Sequence, residues 1–155
     1  MLKTDRFFEQ LISQYGRLPQ MDKGNSNILA DYKHVRENPL CGDQVAVFLG
    51  GKDDQQRRYL SVDVQGCIIC RASGKIMEEC MAQTHDDEWP VCLSVTIESF
   101  NGVAHREQPE VCGSDSLKAL FWLRRYPVRK KCALLPWLAL EEALLLSTKE
   151  GLALE

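Results

Sequence analysis

Apolar residues recur at helical spacing near the start of the chain. Phe7, Phe8, Leu11, Ile12 and Tyr15 predict a helix over residues 4–15, which Gly16 and Pro19 stop. Gly24-Asn25-Ser26 reads as a turn. Three strand candidates follow: Ile28 to Val35, Gln44 to Leu49, and Arg57 to Val64. Val45, Val47 and Leu49 share one face of the middle strand, and Gly50-Gly51-Lys52-Asp53-Asp54 reads as the hairpin turn into the third. Together they predict a small three-stranded antiparallel sheet. From Ile68 to Gln83 the period becomes helical, with Ile69, Ala72, Ile76 and Cys80 on one stripe, and Asp86 to Pro90 breaks it. Val91, Leu93, Val95 and Ile97 alternate, which predicts a strand over Val91 to Phe100. Ser114 caps a short helix through Arg124, and Pro127 ends it. Pro136, suited to a first helical position because its missing N–H would have no partner there, opens a last helix to about Ser147. Without repeats or an evident linker, this order predicts one α+β domain over residues 1–155, its three-stranded antiparallel sheet packed with helices.

Length and composition narrow the class. The 155 residues suit a single domain. A hydrophobic fraction of 45% and a charged fraction of 26% exclude a disordered chain, a collagen-like chain and a coiled-coil rod. The net charge of −3 lacks the basic excess of a dedicated nucleic-acid binder. Met1 to Pro19 carries Lys3, Asp5, Arg6, Glu9 and Arg17, with no apolar run of signal-peptide type. Ala133 to Leu146, the most apolar stretch, is interrupted by Glu141 and Glu142 and falls short of the roughly 18 residues of a membrane span. The expectation is a cytoplasmic protein with no membrane and no nucleic-acid partner. Thiols stay reduced there, so seven cysteines point to metal or sulfur chemistry before crosslinks.

Three cysteines lie in reactive settings. In Cys41-Gly42-Asp43 the glycine permits a bend that turns a thiol and a carboxylate toward one ion, although such a triplet also occurs in ordinary turns. Gly66-Cys67 falls where a strand ends and a helix begins, and the positive end of a helix favours thiolate. Cys132 follows Arg129-Lys130-Lys131 and precedes Pro136 by four residues, so the same depression of its pKa is expected.

These segments carry a resemblance. Asn38-Pro39-Leu40-Cys41-Gly42-Asp43, Gly66-Cys67 with Ala72-Ser73 beyond, and Tyr126-Pro127-Val128-Arg129-Lys130-Lys131-Cys132-Ala133-Leu134 with Trp137 resemble the iron–sulfur cluster assembly family of IscU and the NifU N-terminal domain. The SufU branch is closer: Lys131 precedes the last cysteine where IscU proteins have His, the aromatic-Pro-x-Arg-x-Lys-Cys pattern matches, and the Leu-Pro-Pro-Val-Lys chaperone tract is absent. Sixty-four residues lie between Cys67 and Cys132, a length of the inserted SufU type. The likeness covers most of residues 5–147 and is weak over 84–116. It implies an IscU/NifU-N-like fold, zinc on Cys41, Asp43, Cys67 and Cys132, Cys41 as sulfur acceptor and Arg129 beside the site. It also implies a cysteine desulfurase of SufS type as sulfur donor and downstream cluster assembly proteins as receivers. The function implied is a zinc-dependent sulfurtransferase; the alternative is a scaffold on which a transient [2Fe–2S] cluster is built and transferred, and a third reading is a structural zinc protein without sulfur chemistry. Three thiolates and a carboxylate suit tetrahedral zinc, and the harder carboxylate holds a soft cluster less firmly.

Two features depart from the family pattern. Pro136 falls where SufU sequences run on as helix, and Cys70 is extra, making Cys67-Ile68-Ile69-Cys70. A thioredoxin-like pair needs a preceding Trp, an intervening Gly-Pro and a βαβ unit, none of which is present. Cys70 therefore reads first as a helix-face hydrophobe, with a sulfur-relay or disulfide role left open. Cys80, Cys92 and Cys112 read as small apolar residues. His34, His85 and His105 are scattered, and Phe121, Trp122, Trp137, Leu138 and Leu140 read as core. Arg124, Arg125, Arg129, Lys130 and Lys131 form either a solvated face or a dock for an acidic partner surface.

Overall fold

The computed structural model describes residues 9–10, 13–14, 30–52, 57–102 and 115–149. Three strands, β1 (Tyr32–Asn38), β2 (Asp43–Lys52) and β3 (Arg58–Gln65), form an antiparallel sheet with β2 in the centre. Helices α1 (Ile68–Gln83), α2 (Trp89–Phe100), α3 (Asp115–Leu120) and α4 (Pro127–Lys149) follow, with single 3₁₀ segments at Asp86–Glu88 and Phe121–Arg125. The α+β architecture and the three-stranded antiparallel sheet stand as expected.

The register explains where the sheet delivers its residues. Asn38 pairs with Asp43 across a four-residue turn, and Val45, Val47 and Leu49 pair with Val64, Val62 and Leu60. One face of β2 and β3 thus becomes a continuous apolar surface, buried against α1 and α4. The α1 stripe of Ile69, Ala72, Ile76 and Cys80 is buried there. β1 is an edge strand whose side chains alternate between half-buried and exposed. It docks on α4 through His34 Nε2, 2.8 Å from a Glu142 carboxylate oxygen, while Arg36 contacts the other oxygen.

Several boundaries differ from the sequence reading. β1 begins four residues later than Ile28, and β2 runs on to Lys52 through Gly50 and Gly51; Asp53 and Asp54 of the expected turn are outside the described set. The first helix falls largely outside it, though Glu9, Gln10, Ser13 and Gln14 are helical; the Gly24 turn and Ser114 also fall outside. Val91 to Phe100 is helix, not strand. Its buried positions are Trp89, Leu93, Thr96, Ser99 and Phe100, a helical period masked in sequence by two hydroxyl residues. Thr96 and Ser99 donate their hydroxyls to the carbonyls four residues back, Cys92 and Val95, so neither is left unpaired in the core.

The last helix also begins earlier. Pro127 is its first residue, and Pro136 lies inside it. Proline at 136 cannot supply the N–H that would bond the Cys132 carbonyl, the cost of an interior proline. Packing offsets it: Ser73 Oγ donates to the Ala133 carbonyl at 2.5 Å, and Trp137 Nε1 donates to Ser73 Oγ at 3.0 Å. Ser73, Ala133 and Trp137 are all fully buried, so this chain of bonds fixes α4 on α1 in the core.

Candidate metal centre

Three separate segments converge at one end of the sheet. The first is the turn from β1 to β2. Asn38 closes it, its carbonyl accepting from the Cys41 and Gly42 amides and its side-chain oxygen from the Leu40 amide. Gly42 has φ +75°, a backbone conformation that favours glycine, and the bend exposes Cys41 while returning Asp43 inward. Asp43 is the first residue of β2 and only 3% exposed.

The second segment is the β3–α1 junction. Cys67 caps α1: its Sγ accepts from the Cys70 amide at 3.4 Å. Its own amide donates to Asp43 Oδ1 at 3.0 Å, and its thiol lies 3.5 Å from Oδ2. Gly66 makes this possible, since a Cβ there would stand 2.4 Å from Asp43 Oδ1. The third segment is the second turn of α4, which carries Cys132, 6% exposed. The donor atoms of Cys41, Asp43 and Cys132 all lie within 4.8 Å of one another, close enough to share one metal ion. Cys67 stands beside this group, tied to it through its bonds to Asp43.

The electrostatics differ from the sequence expectation. Burial pushes the Cys67 thiol up; the Cys70 amide at the helix start pulls the other way, and the Asp43 carboxylate adds to the rise. Cys132 is pushed up as well, by burial and then by Cys67 and Asp43. Both thiols are therefore disfavoured as thiolates without a cation, the reverse of the expected depression. The arrangement is a set of three sulfurs and one carboxylate that repel one another once ionised. A thiophilic divalent ion of tetrahedral preference relieves that repulsion, so the donor set fits zinc.

Arg129 is exposed on α4, three residues before Cys132 and so on the same side of the helix. Arg124, Arg125 and Lys131 are exposed as well, and Lys130 is half-buried. A groove of about 370 Å³ lies between the Cys41 turn and α4, lined by Asn38, Pro39, Leu40, Lys131, Leu134 and Leu138. Leu40, 80% exposed, stands at its edge beside Cys41. Sequence reasoning missed Gly66 as the residue that lets Asp43 approach; its only signal was its place directly before Cys67. Cys70 is buried, as its reading as a helix-face hydrophobe implies. Cys80 is buried and Cys92 half-buried, while Cys112 and His105 lie outside the described residues. His34 and His85 stand apart from the cluster, beside Glu142 and Asp87. Phe121, Trp137 and Leu140 are core, and Trp122 and Leu138 pack half-buried against it. Among the described residues no helix is long and apolar enough to cross a membrane.

No family model matches the chain. It is 27% identical over 142 residues, covering 89% of each chain, to the zinc-dependent sulfurtransferase SufU of Bacillus subtilis (strain 168). It is 26% identical over 107 residues to the iron–sulfur cluster assembly scaffold protein IscU of Streptococcus pyogenes serotype M1, covering 69% of this chain and 65% of the other. The crystal structure of the N-terminal NifU-like protein of Brucella abortus shares its fold, with a TM-score of 0.70 over 94% of this chain and 97% of the other at 17% identity. In sequence this chain is similar to SufU and IscU proteins, and in fold to an N-terminal NifU-like protein.

Proposed function

We propose that this protein is a zinc-dependent sulfurtransferase of iron–sulfur cluster assembly, which accepts persulfide sulfur from a cysteine desulfurase. Zinc is held by Cys41, Asp43, Cys67 and Cys132. The observation that carries this reading is the convergence of Cys41, Asp43 and Cys132 within 4.8 Å, with Cys67 bonded to the same carboxylate. The similarity to SufU over 89% of the chain supports the choice of chemistry.

The four ligands are held unequally, and this assigns their roles. Cys132 is buried in a helix, Cys67 caps one, and Asp43 is anchored by the Cys67 amide. Cys41 and Cys67 are both exposed, but Cys67 caps a helix, whereas Cys41 lies on a turn, where it can swing away without unwinding a helix. Bound zinc supplies thiolate character at neutral pH. The Cys41 thiolate attacks the terminal sulfur of the donor persulfide; the new S–S bond forms as the old one breaks, and the donor leaves as thiolate. Arg129, an exposed cation one turn from Cys132, stabilises the charge on Cys41 while it is off the ion. Leu40 and Lys131 beside the site give the desulfurase an apolar and basic place to dock. The setting is the reducing cytoplasm, and the sulfur passes on to downstream assembly proteins.

The test is sulfide release by a cysteine desulfurase of the SufS type. Wild type raises turnover several-fold, Arg129→Ala raises it less, and Cys41→Ala leaves it at the basal rate. Equal stimulation by Cys41→Ala removes the acceptor role. No stimulation by wild type, with a visible [2Fe–2S] spectrum after anaerobic reconstitution, transfers the assignment to the scaffold reading that the IscU relative represents.

A further inference from the structure

A groove of about 470 Å³ lies at the other end of the sheet from the donor cluster, where β3 begins and α4 ends. Two helix faces form it. α2 gives Trp89 and Leu93, one turn apart, and α4 gives Glu141, Leu144, Leu145 and Thr148 at the i, i+3, i+4, i+7 spacing of a single stripe. Trp89 and Leu93 are buried and Leu144 half-buried, while Leu145 is 61% exposed. The polar atoms among these residues are already bonded within the fold. Trp89 Nε1 donates to the Met81 and Thr84 carbonyls, and Thr148 Oγ1 to the Leu144 carbonyl. The groove thus offers an apolar floor, and its polar groups are the charges lining it: Asp86, Asp87 and Glu141 against one cation, Arg58. Asp86 accepts from the Arg58 amide at 2.8 Å, Asp87 faces exposed His85, and Glu141 makes no ion pair among the described residues. Three carboxylates against one guanidinium leave the lining acidic.

We infer that this groove docks a basic amphipathic helix of a partner protein, its apolar side chains on Trp89, Leu93 and Leu144 and its lysines or arginines facing Asp87 and Glu141. The shape argues for a helix: the α4 stripe runs two turns, about 10 Å, and a trough between two helix faces is the form that takes a third. The charge argues for a basic one, since an acidic helix meets like charge along the lining. The same argument separates this partner from one at the metal centre, where Arg124, Arg125 and Arg129 are exposed and favour an acidic surface. The two ends therefore select partners of opposite charge, and the groove can stay occupied while the donor cluster is engaged. The inference does not depend on the chemistry given to that cluster.

The experiment titrates the full-length protein into a labelled peptide and reads fluorescence anisotropy. The peptide has about 18 residues, long enough to be helical, of leucine and lysine only, with leucine at i, i+3, i+4 and i+7. A second peptide has the same residues scrambled so that no apolar face forms. The patterned peptide binds about tenfold tighter than the scrambled one or better, and Leu145→Lys and Glu141→Lys each weaken it by about tenfold or more. Both positions reach the surface, and unchanged melting shows that the variants fold. Arg125→Glu, an equal change of charge at the other end, leaves binding as in wild type. Equal binding of the two peptides, or tightening by Arg125→Glu as large as the loss in Glu141→Lys, shows attraction by net charge alone and overturns the proposal. No binding of the patterned peptide overturns it as well. So does a wild-type dimer in sedimentation that Leu145→Lys dissolves, which gives the groove to a second copy of the chain.

Discussion

The two ends of the sheet are built on opposite principles. At the end away from the site, the polar groups described are matched. Arg57 donates to the Ala82 carbonyl at 2.6 Å, the Arg58 amide to Asp86 at 2.8 Å, and the Val62 amide to Glu78 at 2.7 Å. Buried Trp89 divides its indole N–H between the Met81 and Thr84 carbonyls. At the site end, acid groups are gathered and each raises the cost of ionising the next. The first end holds the fold together. The second keeps together a set of donors whose thiolates would repel one another and the carboxylate, a repulsion that a bound ion relieves. A fold can maintain such a site because its stability comes from elsewhere, here the continuous core of β2, β3, α1 and α4.

The largest test of this contrast is loss of ligands. Cys67→Ala and Cys132→Ala should each lower zinc from one per chain toward none by metal analysis, while keeping a cooperative melt; full zinc in either removes that residue from the ligand set. Chelation of wild type should lower the melting midpoint without abolishing cooperativity, unlike zinc-finger peptides, which unfold without their ion.

Next in size is Gly66→Ala. The added methyl meets the Asp43 carboxylate, so overpacking should cost about 1–3 kcal/mol of stability in the metal-free protein. Displacing a ligand in this way should also weaken zinc by about tenfold or more. Unchanged zinc affinity shows that Asp43 does not need that position.

Part of this was legible in advance. The stripe of α1 was read to its ends because Ile69, Ala72, Ile76 and Cys80 all face the core. α2 was not, since Thr96 and Ser99 are buried by bonding their own helix, and an apolar pattern cannot see that. β1 was displaced toward Ile28 because an edge strand with Val35 facing outward carries little apolar signal; pairing with Asp43 extends it to Asn38. Pro136 was taken for a start because sequence weighs a proline's missing donor and not the Ser73–Trp137 packing beside it. The resemblance named four site residues; the structure sets the donor atoms of Cys41, Asp43 and Cys132 within 4.8 Å and bonds Cys67 to Asp43, but their mutual electrostatics depend on burial, a tertiary property. The close approach of Gly66 to Asp43 is equally invisible along the chain.

The pH response sharpens the contrast at smaller scale. The Cys67 and Cys132 thiols are raised above the ordinary 9.0 in the folded metal-free protein. Below 9.0 they are protonated in both folded and unfolded chains, and their contribution to stability is fully present. As pH rises past 9.0 the unfolded chain loses these protons first, so it binds fewer than the folded one and stability falls. Melting of the metal-free protein should therefore drop with alkaline pH, and the zinc form, whose thiolates are already bound, should drop less. Equal slopes for the two forms contradict this.

The smallest effect is expected at the other end. Trp89→Phe removes the indole donor at a cost of about 1 kcal/mol. Met81 keeps the Thr84 amide as a partner, which limits the loss. Zinc content and affinity should not change, and a change there shows that the two ends are coupled.

The bond from the Cys67 amide to Asp43 makes that amide a native reporter of the site. Any pull on the carboxylate alters the polarisation of one backbone N–H, and with it a single proton chemical shift and a single rate of exchange with solvent. Occupancy and ligand exchange can then be timed from one resonance, in the unlabelled thiols' own environment, without a dye, a spin label or a substitution near the reacting sulfur.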